Sequence, residues 1–420
     1  MKNKSFVFLL TSETISTLGD MIGLFTIEWL LYKLTGSKLL MGSLLVAYAI
    51  PEISIRLFGS VLVDMFHRVR LMITLNMIRL VTISIVTVLI FLQSLEVWHI
   101  FLMAIILGAC SALFIPAGMA LVPTILPKDE LLKGYSYLDI FTTSSRLLGP
   151  VIGGLLLNLD LLYIGVIVYA VSFGLAAVCL LFVSTPTPTH LEKKLVQSSL
   201  SFKMLVSEWT EGFTFYRAAP DLLIILLFLC LSNMCFASWN GLTIPFGTEV
   251  LNLSTFQISF FLPCFSLGML LGNLITSRLK KVTKRRAFMF SSMIATGIGN
   301  ILLSLNHNYM LAIALFIFLG FCLPFFSSFN AAIYGQVVPD SLRGRVLSVR
   351  LVATQCMMPV GGFIGGLVSE FYGIPLLIFV SGLIPLACGI VGFGLPQLKP
   401  LDGELTERTV HTKPRAYETA

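Results

Sequence analysis

Two carboxylates interrupt the first long apolar run of this 420-residue chain. Glu13 and Asp20 are seven residues apart, a spacing that places both side chains on one face of a helix. Desolvation favours the neutral form of a carboxylate, so such a group can bind and release a proton as its surroundings change. The pattern predicts a proton-coupling or cation-binding role, chiefly for Asp20. The alternative is that Asp20 fixes a helix bend beside Gly19 and Gly23, and Glu28, nearer the end of the run, is expected to be solvated.

Opposite charges occur in two further apolar runs. Glu52 precedes Arg56 by four residues, the favourable order for an ion pair along a helix, and each charge offsets the desolvation of the other. We predict a gate or coupling switch here, or a static structural pair. Asp139 and Arg146 share a face of the fifth run but lie about 10 Å apart along a helix axis, so each needs another partner. Arg146 is the candidate for binding an anionic group or for keeping a carboxylate charged.

Amides and aromatic rings recur at helical spacing in the second half of the chain. Such groups around a cavity suit bulky amphipathic ligands, which need contact area more than many specific hydrogen bonds. The alternative is that these side chains pack against neighbouring helices or face lipid. The predicted cavity-lining set is Asn233, Trp239, Asn240, Phe326, Phe329 and Asn330.

Charged residues also gather where apolar runs end. Acids and bases in these places can form a charge network between helices that holds one conformation, although solvated bases that set a membrane topology would give the same pattern. The predicted network comprises Asp64, Arg68, Arg70 and Arg79 in the first half and Arg343 and Arg345 in the second.

The sequence offers no pattern typical of an enzyme or a metal centre. The eight cysteines all fall in apolar runs, with no pair at metal-ligand or redox spacing, and the five histidines lie in or beside polar connections. No glycine-rich phosphate loop with its Lys and Ser or Thr occurs. We therefore expect no catalytic residue, no cofactor and no metal ion.

The composition is that of a membrane protein. Hydrophobic residues make up 56% of the chain and charged residues only 12%, whereas soluble domains average about 25% charged residues. Apolar runs of about 20 residues, the length that spans a bilayer as a helix, follow one another from Phe6 to Leu395. The first run is too long and too charged for a cleavable signal peptide. We expect an all-α membrane protein with twelve transmembrane helices.

Polar, glycine and proline clusters divide the chain into twelve predicted spans. The first six are 6–34, 39–63, 69–93, 98–126, 131–158 and 161–184. The second six are 221–247, 253–277, 286–306, 309–338, 344–371 and 374–395.

The basic residues predict how these spans are oriented. Short cytoplasmic loops accumulate Lys and Arg, and 23 of the 28 Lys and Arg residues fall on one side, against Lys33 and Lys38 on the other. Both termini are therefore expected to be cytoplasmic in a multi-pass protein of the inner or plasma membrane. This placement also argues against nucleic acid as the reason for the net charge of +7.

The two halves of the chain resemble one another at a fixed offset. Gly149, Gly153 and Gly154 match Gly361, Gly365 and Gly366, each 212 positions later. The chain is therefore predicted to be two pseudo-symmetric six-helix bundles, at 1–184 and 221–395. A cytoplasmic linker with an amphipathic segment joins them at 185–220, and a polar, disordered cytoplasmic tail follows at 396–420.

Two motifs resemble those of the major facilitator superfamily. Between the second and third predicted helices, Asp64, Arg68 and Arg70 keep the acid and two bases of a loop signature. The fifth predicted helix contains Gly149-Pro150-x-x-Gly153-Gly154, which is similar to a signature associated with antiporters of this superfamily. The resemblance implies the two-bundle fold, with glycines that let helices pack closely while the halves rock.

Further matches resemble the drug:H+ antiporter-3 family, which includes macrolide efflux proteins and the enterobactin exporter. They include Leu18-Gly19-Asp20, Asn76-x-x-Arg79 and Arg343-Gly344-Arg345. The resemblance implies a proton-motive-force-driven antiporter that exports small amphipathic molecules, such as drugs or macrolides, by alternating access. The expected partners are a small-molecule substrate, protons and the lipid bilayer, and we expect a monomer. The alternatives are an exporter of a siderophore or peptide metabolite, a lipid flippase or, outside transport, a membrane-embedded enzyme or sensor.

Overall fold

Long helices account for nearly all of the described structure. In the computed structural model the described residues are 3–127, 130–184, 202–279 and 284–403, with side chains described except at 57–65, 132, 202–209, 340 and 341. Twelve of the described helices are long and apolar enough to span a membrane. The predicted all-α fold with twelve transmembrane helices is confirmed.

The spanning helices form two sets of six in chain order. The first set is α1 (Lys4–Thr35), α2 (Lys38–Met65), α3 (Arg68–Phe91), α4 (Val97–Ile125), α5 (Leu131–Asn158) and α6 (Leu162–Leu181). A further helix, α7 (Phe202–Ala218), lies in the linker. The second set is α8 (Pro220–Asn240), α9 (Phe261–Arg278), α10 (Arg285–Ser304), α11 (Tyr309–Val337), α12 (Asp340–Tyr372) and α13 (Ile374–Gly394).

Capping residues determine where several helices begin and end. The Asn3 side chain accepts a hydrogen bond from the backbone N–H of Phe6 at 3.3 Å and so caps α1. The same helix ends at Gly36, whose φ of 62° lies in the left-handed region that glycine adopts without steric cost. Asn308 caps α11 by accepting from the N–H of Met310 at 2.8 Å. These local signals mark both ends of α1 and the start of α11.

The seventh spanning helix is shorter than the predicted span of 221–247. It ends at Asn240, and short helical turns follow at Thr243–Pro245, Phe246–Val250 and Thr255–Ile258. Pro245 has no N–H to donate, which interrupts regular helical hydrogen bonding. Ile244 and Phe246 are buried although they lie beyond this helix. Their apolar side chains make the span look longer in the sequence than the helix is.

The first residues of the C-terminal tail are folded, which corrects the prediction of disorder from 396 onwards. Pro396–Leu401 form a turn of 3-10 helix in which the Leu398 and Leu401 side chains are fully buried. Arg285 donates to the carbonyl oxygen of Gly403 at 2.7 Å. Burial of these two leucines stabilises the folded turn, although the rest of the segment is polar. The rest of the predicted tail, 404–420, lies outside the described residues.

The repeat glycines mark equivalent contacts inside each half. A Cβ at Gly149 of α5 would overlap Met21 of α1. A Cβ at Gly361 of α12 would overlap the backbone of Met234 in α8. Helices can approach this closely only where a side chain is absent.

The last glycines of the repeat lie where the two halves meet. Gly154 of α5 packs against Ser259, just before α9 in the second half. Gly366 of α12 packs against Leu39 of α2 in the first half. The duplicated sequence therefore forms two related interfaces, one on each side of the molecule.

The linker helix α7 is fixed to the second half. Glu211 forms an ion pair with Arg345 of α12, and the Tyr216 hydroxyl donates to the Tyr334 hydroxyl of α11 at 3.1 Å. Burial raises the pKa of Tyr216 to about 12, so its hydroxyl stays protonated at neutral pH. The segment predicted to be amphipathic, 202–217, coincides with this helix.

We predict that Gly365→Ala destabilises the protein. The added Cβ would lie 2.7 Å from the Cα of Ser238 in α8, and because backbone cannot move aside as a flexible side chain can, α12 must shift at a cost of about 1–3 kcal/mol. The purified protein should have a lower melting temperature in detergent. Gly344→Ala in the same helix is the control, since nothing lies within 4 Å of its added Cβ. Equal melting temperatures would contradict close packing of α12 on α8.

Candidate functional site

A central cavity of about 320 Å³ lies between the two halves. Helices α1, α2, α4, α5 and α6 line it on one side, and α9, α11 and residues between 240 and 259 line it on the other. Most of the wall is apolar, whereas its polar side chains are Asp20, Glu28, Tyr48, Tyr169, Asn240, Thr243 and Ser259. An apolar cavity with a few polar groups is the usual form of a small-molecule site.

Asp20 lies on this wall and is held by α6. The Tyr169 hydroxyl donates to Asp20 Oδ1 at 2.9 Å. Two glycines of α1 make this contact possible, because a Cβ at Gly19 would overlap Ser172 and a Cβ at Gly23 would overlap the Tyr169 ring. The glycines beside Asp20 thus allow α1 and α6 to pack closely, within a helix that continues unbroken from Lys4 to Thr35.

Arg79 is buried inside the first half. Its side chain is 4% exposed, donates to Ser111 Oγ at 2.9 Å, and lies with its guanidinium carbon 4.7 Å from the Phe114 ring centroid. It is about 16 Å along α3 from Arg68. The predicted grouping of Arg79 with Arg68 and Arg70 is therefore corrected, since α3 continues well past its charged first turn and takes Arg79 into the bundle.

Arg79 also connects the carboxylates of the first half to the cavity. The carboxylates within electrostatic range of its guanidinium group are Glu13, Asp20 and Glu52. Ser111, which accepts from Arg79, shares a 2.6 Å hydrogen bond with the Tyr48 hydroxyl, and Tyr48 lines the cavity. A chain of hydrogen bonds thus joins the buried cation to the cavity wall.

The other predicted charged residues surround this cluster. Glu52 and Arg56 form an ion pair within α2, with side chains 19% and 30% exposed. Arg146 is exposed on α5 and lies within electrostatic range of Asp20. Asp139 is exposed on the same helix, two turns earlier. The structure therefore brings together the charged residues of α1, α2, α3 and α5, with Asp139 at the periphery.

The predicted cavity-lining set of the second half divides into two groups. Asn240 lines the cavity, whereas the Trp239 ring packs in the core 5.7 Å from the Phe316 ring. Phe326 and Phe329 pack in a separate core around α7, α8 and α11. That prediction is corrected for these packed aromatic residues, because helical spacing identifies a shared face without identifying what the face contacts.

The remaining two amides of that set do not line the cavity either. Asn330 is fully buried in α11, and its amide nitrogen and oxygen have no hydrogen-bond partner among the described residues. Asn233 is half-buried on α8, two turns from Asn240.

Apart from Arg79, the residues predicted to form a charge network lie at or near helix ends, and their described contacts are within their own half. Arg68 donates to the Ala120 carbonyl oxygen at 3.1 Å, and Arg343 donates to the Gly335 carbonyl oxygen at 3.1 Å. Arg345 pairs with the linker helix, and Arg70 is exposed. The Asp64 side chain lies outside the described residues.

One end of the bundle, where α1 turns into α2, is closed by contacts between the halves. Glu249 of the second half pairs with Lys38 Nζ at 2.9 Å and accepts from the Tyr32 hydroxyl at 2.6 Å. Glu370 at the end of α12 accepts from the backbone N–H groups of Lys38 at 2.7 Å and Leu39 at 3.2 Å. A carboxylate in this place satisfies the free N–H groups at the start of α2. We call this set of contacts the closed end.

Sequence reasoning missed several of these residues. Tyr169 and Glu249 stand in otherwise apolar or loop sequence, and only the spatial arrangement of helices pairs them with α1. Glu28 had a detectable signal, because it lies eight residues after Asp20 on the same side of α1. Its place near the end of the span predicts a solvated side chain, whereas it lines the cavity.

The chain matches a described protein family and several curated proteins over nearly its whole length. The family model described as transmembrane secretion effector matches residues 1–417. Macrolide efflux protein A of Streptococcus pyogenes is 23% identical over 402 residues, which cover 94% of this chain and 97% of that protein. Multidrug efflux pump Tap of Mycolicibacterium fortuitum is 23% identical over 410 residues, which cover 96% of this chain and 98% of the pump.

The fold is also similar to that of solved transporters. A bacterial homologue of the human lysosomal transporter Spinster, in an inward-facing and unoccupied conformation, superposes with a TM-score of 0.70 at 12% identity, covering 94% of this chain and 97% of that one. The twelve spanning helices, the central cavity and the whole-chain match together show a multi-pass membrane transporter of small molecules. The chain belongs to the transmembrane secretion effector family of the major facilitator superfamily.

Proposed function

We propose that this transporter is an exporter driven by the proton motive force, which exchanges protons for small amphipathic molecules such as drugs or macrolides. The observation that supports this most directly is Asp20, a carboxylate on the wall of the central cavity that accepts from Tyr169 and has two cations within electrostatic range. An ionisable group deep in a membrane span is costly and is a functional candidate for that reason. The relatives named for macrolide and multidrug efflux support the direction and the substrate class.

The distribution of basic residues supports an orientation for the cavity. Lys33 and Lys38, the two bases on the side with few Lys and Arg residues, lie where α1 turns into α2, so the closed end would face the outside. The opposite end, where residues 3 and 403 lie, would face the cytoplasm. In this orientation the structure is closed outwards, and a substrate would enter the cavity from the cytoplasmic side.

Export then requires the closed end to open while the cytoplasmic end closes. The two halves would rock about the interfaces at Gly154 and Gly366. The Lys38–Glu249 ion pair and the Glu370 cap on α2 would break, because both join the halves. Protonation of Asp20 from the outside would accompany substrate release, and the proton would leave to the cytoplasm before the next substrate binds.

A second candidate within transport is an exporter of an anionic siderophore, a peptide metabolite or a lipid. The exposed Arg146, close enough to interact with Asp20, favours it, because a guanidinium group binds carboxylate and phosphate well. Accumulation assays with erythromycin, ethidium and a catecholate siderophore separate the two candidates. Energy-independent uptake of every compound in such a panel would refute export.

We predict that Asp20→Asn abolishes coupling without preventing insertion. Asparagine keeps the size and much of the hydrogen bonding of aspartate but cannot titrate. Abundance in the membrane should stay near the wild-type level, whereas protonophore-sensitive export of erythromycin or ethidium should fall to the level of cells that lack the transporter. Glu52→Gln provides the comparison: if it uncouples transport while Asp20→Asn behaves like the wild type, the coupling site belongs on α2.

We predict that Glu370→Gln opens the closed end more often. The uncharged amide is a weaker cap for α2, a loss of about 1 kcal/mol that changes a two-state equilibrium about fivefold. A cysteine replacing the cavity residue Met41, in a background without the eight native cysteines, should react faster with an impermeant maleimide added outside. Asp160→Asn, another charge removed at the same end of the bundle, should leave the rate unchanged, and an unchanged rate in Glu370→Gln would refute the proposed gate.

The orientation itself is testable with single cysteines. A cysteine at the exposed Asn252 should react with an impermeant reagent added to intact cells, and a cysteine at the exposed Lys284 should react only after the membrane is opened. The opposite pattern would overturn the proposed orientation.

A further inference from the structure

Glu28 is a carboxylate of the cavity wall that the proposed function does not use. It lies two helical turns beyond Asp20 on α1, about 12 Å further along the helix axis. Its neighbours on the wall include Leu24 and Ile27, so it stands among apolar side chains. It is closer than Asp20 to the closed end, because Tyr32, which donates to Glu249, follows it by one turn.

No group in the described part of the chain forms a hydrogen bond or ion pair with Glu28, although two lysines follow it closely in sequence. Lys33 Nζ lies over the Trp29 ring, 4.7 Å from its centroid. Lys38 Nζ is paired with Glu249 at 2.9 Å. Both nearby cations are thus engaged elsewhere, and neither offsets the charge of Glu28.

The contrast with Asp20 separates the roles of the two carboxylates. Asp20 accepts a hydrogen bond from Tyr169 and has Arg79 and Arg146 within electrostatic range. Its charge is therefore offset by the protein itself. Glu28 has no such partner among the described residues, so a charged Glu28 in this apolar cavity would be stabilised most by a cation supplied by the ligand.

The rest of the cavity wall fits the body of such a ligand. Phe261 and Phe316 stack with ring centroids 4.5 Å apart and planes 5° from parallel, and their ring faces attract cations. Met41 adds a flexible side chain that adapts to irregular shapes. The cavity therefore offers one unpaired negative charge surrounded by aromatic and aliphatic surface.

We propose that Glu28 binds the positively charged group of the substrate, and that the substrates of this transporter are amphipathic cations with one charge on a hydrophobic body. The proposal rests on the proposed function for the direction of transport, while the binding it describes needs no proton gradient. In this arrangement Asp20 exchanges the proton and Glu28 selects the charge of the cargo. A cation bound at Glu28 would also lie one helical turn from the Tyr32–Glu249 contact at the closed end.

Equilibrium binding to the purified full-length protein in detergent tests this proposal. The probes are radiolabelled tetraphenylphosphonium, a hydrophobic cation, and Nile red, a neutral hydrophobic dye whose fluorescence reports binding. Glu28→Gln should weaken tetraphenylphosphonium binding by about tenfold or more, equivalent to about 1.4 kcal/mol, and leave Nile red binding unchanged. Glu28→Asp keeps the charge and should retain most of the affinity for the cation.

The matched control removes a carboxylate outside the cavity. Glu96→Gln changes an exposed residue that accepts from the Trp98 indole at 2.8 Å, and it should bind both probes like the wild type. Unchanged tetraphenylphosphonium affinity in Glu28→Gln, equal loss of both probes, or a wild-type protein that does not bind the cation would each overturn the proposal. Failure of the proposed export appears differently, as normal cation binding without protonophore-sensitive efflux of tetraphenylphosphonium from cells.

Discussion

Charge balance around one buried guanidinium group constrains the first half of this transporter. Arg79 lies among apolar helices, in contact with Ser111 and with the Phe114 and Phe173 rings, and an uncompensated charge there would cost several kcal/mol. Three carboxylates, Glu13, Asp20 and Glu52, lie within its electrostatic range. The charge of Arg79 is offset only while these carboxylates stay in place. The close packing at the α1 glycines and the hydrogen bond from Tyr169 hold Asp20 there.

The balance explains how a proton could move the protein between conformations. Glu13, Asp20 and Glu52 are three acids, and Arg56, Arg79 and Arg146 are three bases. Neutralising Asp20 leaves one cation in excess, which favours an arrangement with more water or another counter-charge near the cluster. Glu28 lies outside this balanced set, and a cationic ligand would neutralise its negative charge. Proton and ligand can therefore influence each other through one cavity without sharing one carboxylate.

The two halves share their packing glycines but not their buried charges. The glycines at 149, 153 and 154 recur at 361, 365 and 366 and make equivalent contacts in both halves. At the same offset, Glu13 corresponds to Ile225, Asp20 to Ser232 and Arg79 to Ser291. The second half thus contributes apolar and aromatic surface to the cavity, together with Glu249 and Glu370 at the closed end. A rocking mechanism needs both interfaces, whereas coupling to protons needs a charged cluster in only one half.

The sequence predicts what depends on hydropathy and local spacing. Twelve spans, the repeat, the linker helix and the Glu52–Arg56 pair follow from apolar periodicity and residue order along one helix. Lateral arrangement does not follow from these signals, because many orders of helices bury the same apolar faces. For this reason the sequence alone groups Arg79 with Arg68, places Glu28 in solvent, and does not identify the partners of Asp20 and of α2. The end of α8 at Asn240 is also not predictable from hydropathy, because the residues that follow are apolar as well.

The central claim is that Asp20 exchanges a proton as ligand binds. Proton release on addition of tetraphenylphosphonium to the purified protein in weakly buffered detergent solution measures this directly, with a pH indicator dye as the reporter. Linkage between proton and ligand predicts that Asp20→Asn releases fewer protons per bound cation than the wild type, by up to about one. Equal release from both proteins, at equal ligand occupancy, would contradict the account.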